Sequence, residues 1–247
     1  MQIRQVYKSF AQGAFLHRKT LRETALLKGV SLDIPKHKIT ALVGDNGSGK
    51  STLFNIISGL EPADEGKILF DEGKNILGWS PTRIARSGIA RMFQDNHIFP
   101  HLTLLENLLI ADLDRFGEWP LHAIFRRSAL RQSETARTQR AQQAMEALFG
   151  EHSELWQKRH EPARRFSYGQ QRLLGLARLL MNKNTLLLLD EPTAGVDETT
   201  IRQMIGLIRG IMQTQNISIF IIEHNEDVVR ELADHHARLE NGAINPL

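Results

Sequence analysis

The nine residues Gly44-Asp45-Asn46-Gly47-Ser48-Gly49-Lys50-Ser51-Thr52 constrain this chain more than any other stretch. Ahead of them lies Ile39-Thr40-Ala41-Leu42-Val43, short, apolar and rich in β-formers, and behind them Leu53, Phe54, Ile57 and Leu60 recur at helical spacing. The pattern predicts strand, loop and helix in that order. Glycines at 44, 47 and 49 allow sharp bends that turn successive N–H groups inward, and the positive end of the helix dipole faces the same hollow. A loop of the form G-x-x-x-x-G-K-[ST] in this setting cradles the phosphates of a nucleotide. Lys50 is expected to reach the outer phosphates and Ser51 to offer its hydroxyl to Mg²⁺, with Gly44, Asn46, Gly47, Gly49 and Thr52 completing the cradle. The alternative is a Gly-rich turn that merely joins a strand to a helix, and the correct pattern on both flanks weighs against it.

With 247 residues the chain is long enough for one large domain, or one domain carrying a subdomain. The longest apolar runs, Leu186 to Leu189 and Ile219 to Ile222, fall far short of the roughly 20 residues of a membrane-spanning helix. The N-terminus Met1-Gln2-Ile3-Arg4-Gln5 lacks a charged-then-apolar export signal, and no cysteine is present for disulfides, zinc or iron–sulfur clusters. A reducing cytoplasm fits, although an absence of cysteine is only permissive. A net charge of +3 is compatible with nucleic acid, an anionic membrane surface or neither.

Residues 2–7 and 26–34 read as two strands separated by the polar, basic segment Ala11 to Thr24. A turn at Glu61 to Gly66, a strand from Lys67 to Phe70 and a turn at Glu72-Gly73 continue an antiparallel region. Pro81 opens a short helix ending near Gly88, and the strand Ile89 to Phe93 leads to Gln94. From Leu102 to Phe166 the pattern is helical: Leu104, Leu105, Leu108 and Leu109 share one face, and Ala141, Ala144, Met145 and Leu148 another, until Gly150 stops the run. Arg126, Arg127, Arg131, Arg137 and Arg140 crowd this segment, where a solvated helix face near a subunit contact is preferred over a nucleic-acid or lipid-headgroup patch.

The unalternating run Thr185 to Leu189 reads as a parallel strand buried on both faces, and it ends in Asp190-Glu191. Asp190 is suited to the Mg²⁺ shell and Glu191 to activating a water. A helix with Ile201, Met204, Ile205, Ile208 and Met212 on its buried face precedes the strand Ile217 to Ile222, which ends at Glu223-His224. Phe166-Ser167-Tyr168-Gly169-Gln170-Gln171 precedes a helix from Gly169 to Met181; alone it reads as an N-cap, or as a second anion site. A short helix around Asp227 to Ala233 and a hairpin turning at Asn241-Gly242 close the chain.

In this order the motifs resemble the ATP-binding-cassette family of ATPases. The phosphate loop spans 44–52, Gln94 is the Q-loop glutamine, Phe166 to Gln170 the signature, Leu186 to Asp190 the Walker B strand with Glu191, Ala194 to Asp197 the D-loop and His224 the switch histidine. The resemblance covers essentially the whole chain. It implies an α/β fold: a P-loop NTPase, RecA-like core with an antiparallel β subdomain (1–94 and 167–247) and an inserted α-helical subdomain (95–166). It also implies a sandwich dimer with a second cassette, identical or not. In that dimer Lys50, Ser51, Gln94, Asp190, Glu191 and His224 of one subunit face ATP and Mg²⁺, with Gln94 beside Ser51 and Asp190 as a metal ligand. Ser167 and Gly169 of the other subunit, with Gln170, close on the γ-phosphate. An aromatic residue stacks on adenine in the family, and Phe10 is assigned here, with Tyr7 as the alternative. The signature departs from Leu-Ser-Gly-Gly-Gln at Phe166 and Tyr168, so only Ser167, Gly169 and Gln170 carry over.

Within the family, Ile84 to Gln94, Leu102 to Leu109 and Ser167 to Arg172 resemble the ATPases of branched-chain amino-acid importers. That subgroup also resembles ATPases that drive lipid or other export, and a soluble member acting on nucleic acid or ribosomes is the rival from another class. The implied partners are separate integral membrane subunits and, for an importer, a substrate-binding protein. Nucleic acid is not the expected partner, because a long coiled-coil arm and cluster cysteines are both missing. A peripheral position on the cytoplasmic face of the membrane follows from the resemblance.

Overall fold

The computed structural model describes residues 1–12, 22–95, 98–113, 127–150 and 153–246. They divide into two compact units: segments 1–91, 185–191 and 215–247 form one, and segments 92–184 and 192–214 the other.

The first unit is built on two sheets. Strands β1 (Gln2–Gln12), β2 (Arg22–Asp33), β4 (Glu65–Phe70) and β5 (Lys74–Asn75) form an antiparallel sheet in the order β2-β1-β4-β5. Strands β1 and β2 are longer than expected: residues 8–12 pair with residues 22–27, because backbone pairing extends the ribbon past the point where apolar patterning ends. Gln5, at φ +47, sits at a register shift that lets both Ile3 and Val6 reach the core, a phase change that strict alternation forbids.

The second sheet runs β10-β9-β3-β8-β7-β6, with β3 (Ile39–Val43), β6 (Ile89–Met92), β7 (Leu186–Asp190), β8 (Ser218–Ile222), β9 (His235–Glu240) and β10 (Ala243–Pro246). Every residue of β7 and β8 is buried, which is why their sequences lack alternation. Pairings β3–β8, β7–β8 and β3–β9 are parallel, so the carboxyl ends of β3, β7 and β8 share one edge. Helix α1 (Lys50–Ile57) buries Leu53, Phe54, Ile56 and Ile57 in this unit's core, where the Phe54 and Phe220 rings meet at 4.9 Å. The hairpin turn at Asn241-Gly242 has φ of +51 and +82, as a two-residue primed turn requires. Helices α2 (Pro81–Arg86), capped by Ser80, and, toward the chain's end, Glu226–Leu232, capped by Asn225, complete the unit.

The second unit is helical, and the expected insertion 95–166 lies within its range. Helix α3 (Leu104–Ala111) begins with a capping box between Thr103 and Glu106. The fully buried Asn107 accepts from Phe99 N–H at 2.8 Å and donates to the carbonyls of Phe99 and Thr103, fixing the approach to α3. Helix α4 (Arg127–Phe149) buries Ala141, Ala144, Met145 and Leu148, and Gly150 follows at φ +77. The remaining α-helices among the described residues are α5 (Glu154–Gln157), α6 (Tyr168–Leu179), α7 (Glu198–Gln215) and α8, which is the Glu226–Leu232 helix of the first unit. The buried stripe of α7 is Met204, Ile205, Ile208 and Ile211; Ile211 takes the place expected of Met212, and Met212 and Ile201 are half-buried.

Two of the crowded arginines are not a solvated face. Arg137 and Arg140 bond the buried Asp112 carboxylate at 3.2 and 2.6 Å, and Arg137 also donates to Leu109 O at 2.8 Å. A carboxylate taken out of water needs such partners, and burial of Asp112 draws both arginines inward. Arg126 and the side chains of Arg127 and Arg131 lie outside the described residues. Among the described residues, no helix is long and apolar enough to cross a membrane.

Candidate nucleotide site

The chain leaves β3 at Val43 and enters α1 at Lys50, so the phosphate loop hangs from the carboxyl edge of the parallel strands. Gly49 caps α1 in the left-handed region at φ +106, where an added Cβ would stand 2.7 Å from Leu27 Cδ2. Only glycine satisfies both conditions. Among the described residues no side chain caps α1, which leaves its first N–H groups and dipole available to an anion. Lys50 Nζ donates to the carbonyls of Gly44 at 2.8 Å and Asp45 at 2.9 Å, arched over the loop. Burial pushes its ammonium below the ordinary lysine range, against the opposing pull of Glu191, Asp45 and Asp190. A desolvated cation beside open N–H groups is a strong partner for phosphate oxygens. Asn46, Gly47 and Ser51 are exposed and Thr52 is half-buried.

Asp190 ends β7 and is 3% exposed. Its Oδ2 accepts from Arg91 Nη2 at 2.7 Å, whereas its Oδ1 is buried with no hydrogen-bond partner among the described residues. A carboxylate oxygen left open beside the Ser51-bearing helix suits a hard cation. Among the described residues no three His, Cys, Asp or Glu side chains converge on a metal position. One open carboxylate oxygen and the exposed Ser51 hydroxyl fit Mg²⁺, which keeps waters and takes phosphate oxygens rather than an all-protein cage.

Glu191 follows at φ +47, a left-handed conformation that costs a non-glycine residue about 1–2 kcal/mol. Its N–H donates to Ile222 O at 2.9 Å, tying the residue to the end of β8. The same two strand ends bring Glu191 Oε1 to 2.9 Å from His224 Nε2. The residues of the core expected to bind phosphate, hold the metal, act as base and serve as switch thus gather at one edge: Lys50, Asp190, Glu191 and His224.

The other expected residues lie apart in sequence and are held by their own contacts. Gln94 is exposed, and its carbonyl accepts from Arg172 Nη1 of α6 at 2.7 Å. Ser167 forms a capping box with Gln170: Gln170 N–H donates to Ser167 Oγ at 3.2 Å and Ser167 N–H to Gln170 Oε1 at 3.0 Å. The plain N-cap reading of this segment is realised within the chain, and Ser167 remains exposed. Tyr168 opens α6 with ordinary helical backbone, so its replacement of a family glycine brings no strain. Gly169 packs against Thr200, where a Cβ would stand 2.8 Å from Oγ1. Asp197 accepts from Thr200 N–H at 3.0 Å and Oγ1–H at 2.7 Å, and these bonds hold its carboxyl below the usual range. Phe10 is 41% exposed, with Lys8 Nζ 4.9 Å from its ring centroid. Tyr7 packs beside Gly29.

Sequence reasoning missed Arg91, Arg172 and Thr200 as structural partners of these motifs. Arg91 had a visible signal, a charge inside the otherwise apolar strand Ile89 to Met92; Thr200 had none.

A largely parallel sheet with a phosphate loop after one strand and an acidic pair after another defines a P-loop nucleoside triphosphatase. The chain belongs to the ABC transporter family, whose model matches residues 27–194. It is 33% identical to the high-affinity branched-chain amino acid transport ATP-binding protein BraF of Pseudomonas aeruginosa, over 91% of this chain and 86% of that protein. It is 37% identical to a probable branched-chain amino acid transport ATP-binding protein, LivG, of Archaeoglobus fulgidus, over 88% of this chain and 81% of that protein. Among solved structures, the ADP conformation of an ATP-binding cassette of an ABC transporter superposes with a TM-score of 0.79 at 32% identity, covering 99% of this chain and 88% of that one. The protein is an ATP-binding, ATP-hydrolysing cassette of a transporter.

Proposed function

We propose that this cassette works as the peripheral, cytoplasmic-face ATPase of an importer of the branched-chain amino-acid type, paired with a second cassette and docked on separate membrane subunits. The single observation that carries the catalytic part is the Glu191–His224 pair at the carboxyl edge that bears Lys50 and Asp190. In this reading Lys50 and the open N–H groups of α1 bind the phosphates of ATP. Asp190 and the Ser51 hydroxyl would hold Mg²⁺, which when bound offsets phosphate charge. Glu191 takes a proton from the attacking water, the water oxygen bonds to the γ-phosphorus, and the bond to the ADP oxygen breaks. His224 holds the Glu191 side chain in place.

Assignment of Gln94 as a metal ligand, of Phe10 to adenine, and of Ser167, Gly169 and Gln170 to the γ-phosphate of a facing subunit rests on motif order. The substrate class rests on the names of the relatives, BraF and LivG. Co-purification from detergent-solubilised membranes tests the assignment. Integral subunits and uptake of branched-chain amino acids lost on deletion support it; export components, or ribosomes or DNA instead, overturn it.

A further inference from the structure

The Asp190 carboxylate raises a question that the ATPase reading alone does not answer. Its side chain is 4% exposed and that of Arg91 is 7% exposed, so the 2.7 Å ion pair between them is buried. A buried pair retained for stability alone is usually fully satisfied, and arginine commonly grips both carboxylate oxygens in a fork. Here Arg91 holds Oδ2, and Oδ1, equally buried, has no hydrogen-bond partner among the described residues. Buried polar atoms without partners are rare and call for an explanation.

The rest of the guanidinium explains the geometry. Arg91 Nη1 donates to Asn55 Oδ1 at 2.7 Å and to Ser58 Oγ at 3.3 Å, the last turn and cap of the helix whose first turn follows the phosphate loop. Its carbon lies 5.6 Å from the Phe54 ring centroid. One rigid planar group thus ties β6, the end of β7 and α1 together, and its fork is divided between Asp190 and the helix. Burial lowers the Arg91 pKa, yet arginine stays charged at any working pH.

We infer that Arg91 is a positioning residue for the metal-holding carboxylate: by taking Oδ2 it holds the Asp190 side chain in one orientation, with Oδ1 reserved for the divalent cation that accompanies ATP. This rests on the assignment of Asp190 to that cation. A lysine at 91 keeps the charge but cannot divide a planar fork between Asp190 and Asn55, and a methionine removes both.

The test uses the full chain, Mn²⁺ as the probe and electron paramagnetic resonance of free and bound Mn²⁺ in the presence of ADP. Nucleotide affinity in EDTA and thermal unfolding are measured alongside. For Arg91→Met the Mn²⁺ dissociation constant is expected to rise about 10- to 100-fold, the usual range for an outer-shell partner of a metal ligand, with ADP affinity in EDTA kept within about twofold. Arg91→Lys should fall between, and Asn55→Ala, which removes one anchor but leaves the ion pair, should raise the constant several-fold. Mn²⁺ affinity unchanged or tighter in these variants, whatever their unfolding temperatures, overturns the proposal. If Arg91→Met does not fold, Arg91→Lys and Asn55→Ala decide it by the same criterion. A wild-type chain whose ADP binding does not recruit Mn²⁺ would strike the cation assignment itself, an outcome separate from unaltered variants beside a normal wild type.

Discussion

Glu191 Oε1 and His224 Nε2 stand 2.9 Å apart, each one or two residues past the end of neighbouring parallel strands. The parallel pairing of β7 with β8 fixes the two backbones, and the left-handed turn at Glu191 sends its side chain across to His224. A strained residue held by an adjoining strand end, with its carboxylate met by an imidazole, is the arrangement expected of an oriented general base.

Glu191→Gln keeps the side chain's shape and a hydrogen bond to His224 but removes the basic oxygen. Phosphate release should fall by about 10² to 10⁴. ATP binding, measured by equilibrium dialysis, should be retained. Hydrolysis near the wild-type rate would refute the role.

Gly169 is needed for space rather than for backbone freedom. An added methyl meets Thr200 Oγ1 at 2.8 Å and Cγ2 at 3.0 Å, and Thr200 is pinned by Asp197. Gly169→Ala should cost about 1–3 kcal/mol in urea unfolding, the range for overpacking. Thr200→Ala added to it should recover part of that loss, so the double variant departs from additivity. Strictly additive effects would show that the contact does not set the cost.

Lys50 links loop electrostatics to pH. Its ammonium is depressed in the folded state by burial, so between the folded value and the unfolded value of 10.5 the unfolded chain binds more protons. Stability from this group therefore rises with pH through that window and is flat above 10.5; below the folded value its full penalty is present. Lys50→Met should flatten the slope in urea titrations as pH approaches 10.5 from below, where the unfolded lysine begins to titrate. An unchanged slope would place the proton uptake elsewhere.

Much of this was legible in the sequence, for particular reasons. The phosphate loop, β7 and β8 announce themselves because glycine spacing and unbroken apolar runs have few other uses. The stripe Ala141, Ala144, Met145 and Leu148 survived intact because helical period maps directly onto burial. The ends of β1 and β2 were hidden, since residues 8–12 and 22–25 pair through backbone bonds that side-chain patterning does not report. Arg137 and Arg140 were misread for a related reason: Asp112 lies 25 and 28 residues from them, and its burial decides that they turn inward. The link from Gly169 through Thr200 to Asp197 was likewise invisible, being a tertiary contact between a small residue and a polar one.

Each ATP site is proposed to be completed by Ser167 and Gly169 of a second subunit. Specific ATPase activity of the isolated chain, measured across a wide range of protein concentration, tests it most directly. The account predicts that activity per subunit rises with concentration as dimers form, and that Ser167→Ala suppresses the rise; a constant specific activity from a chain shown by sedimentation to stay monomeric would contradict it.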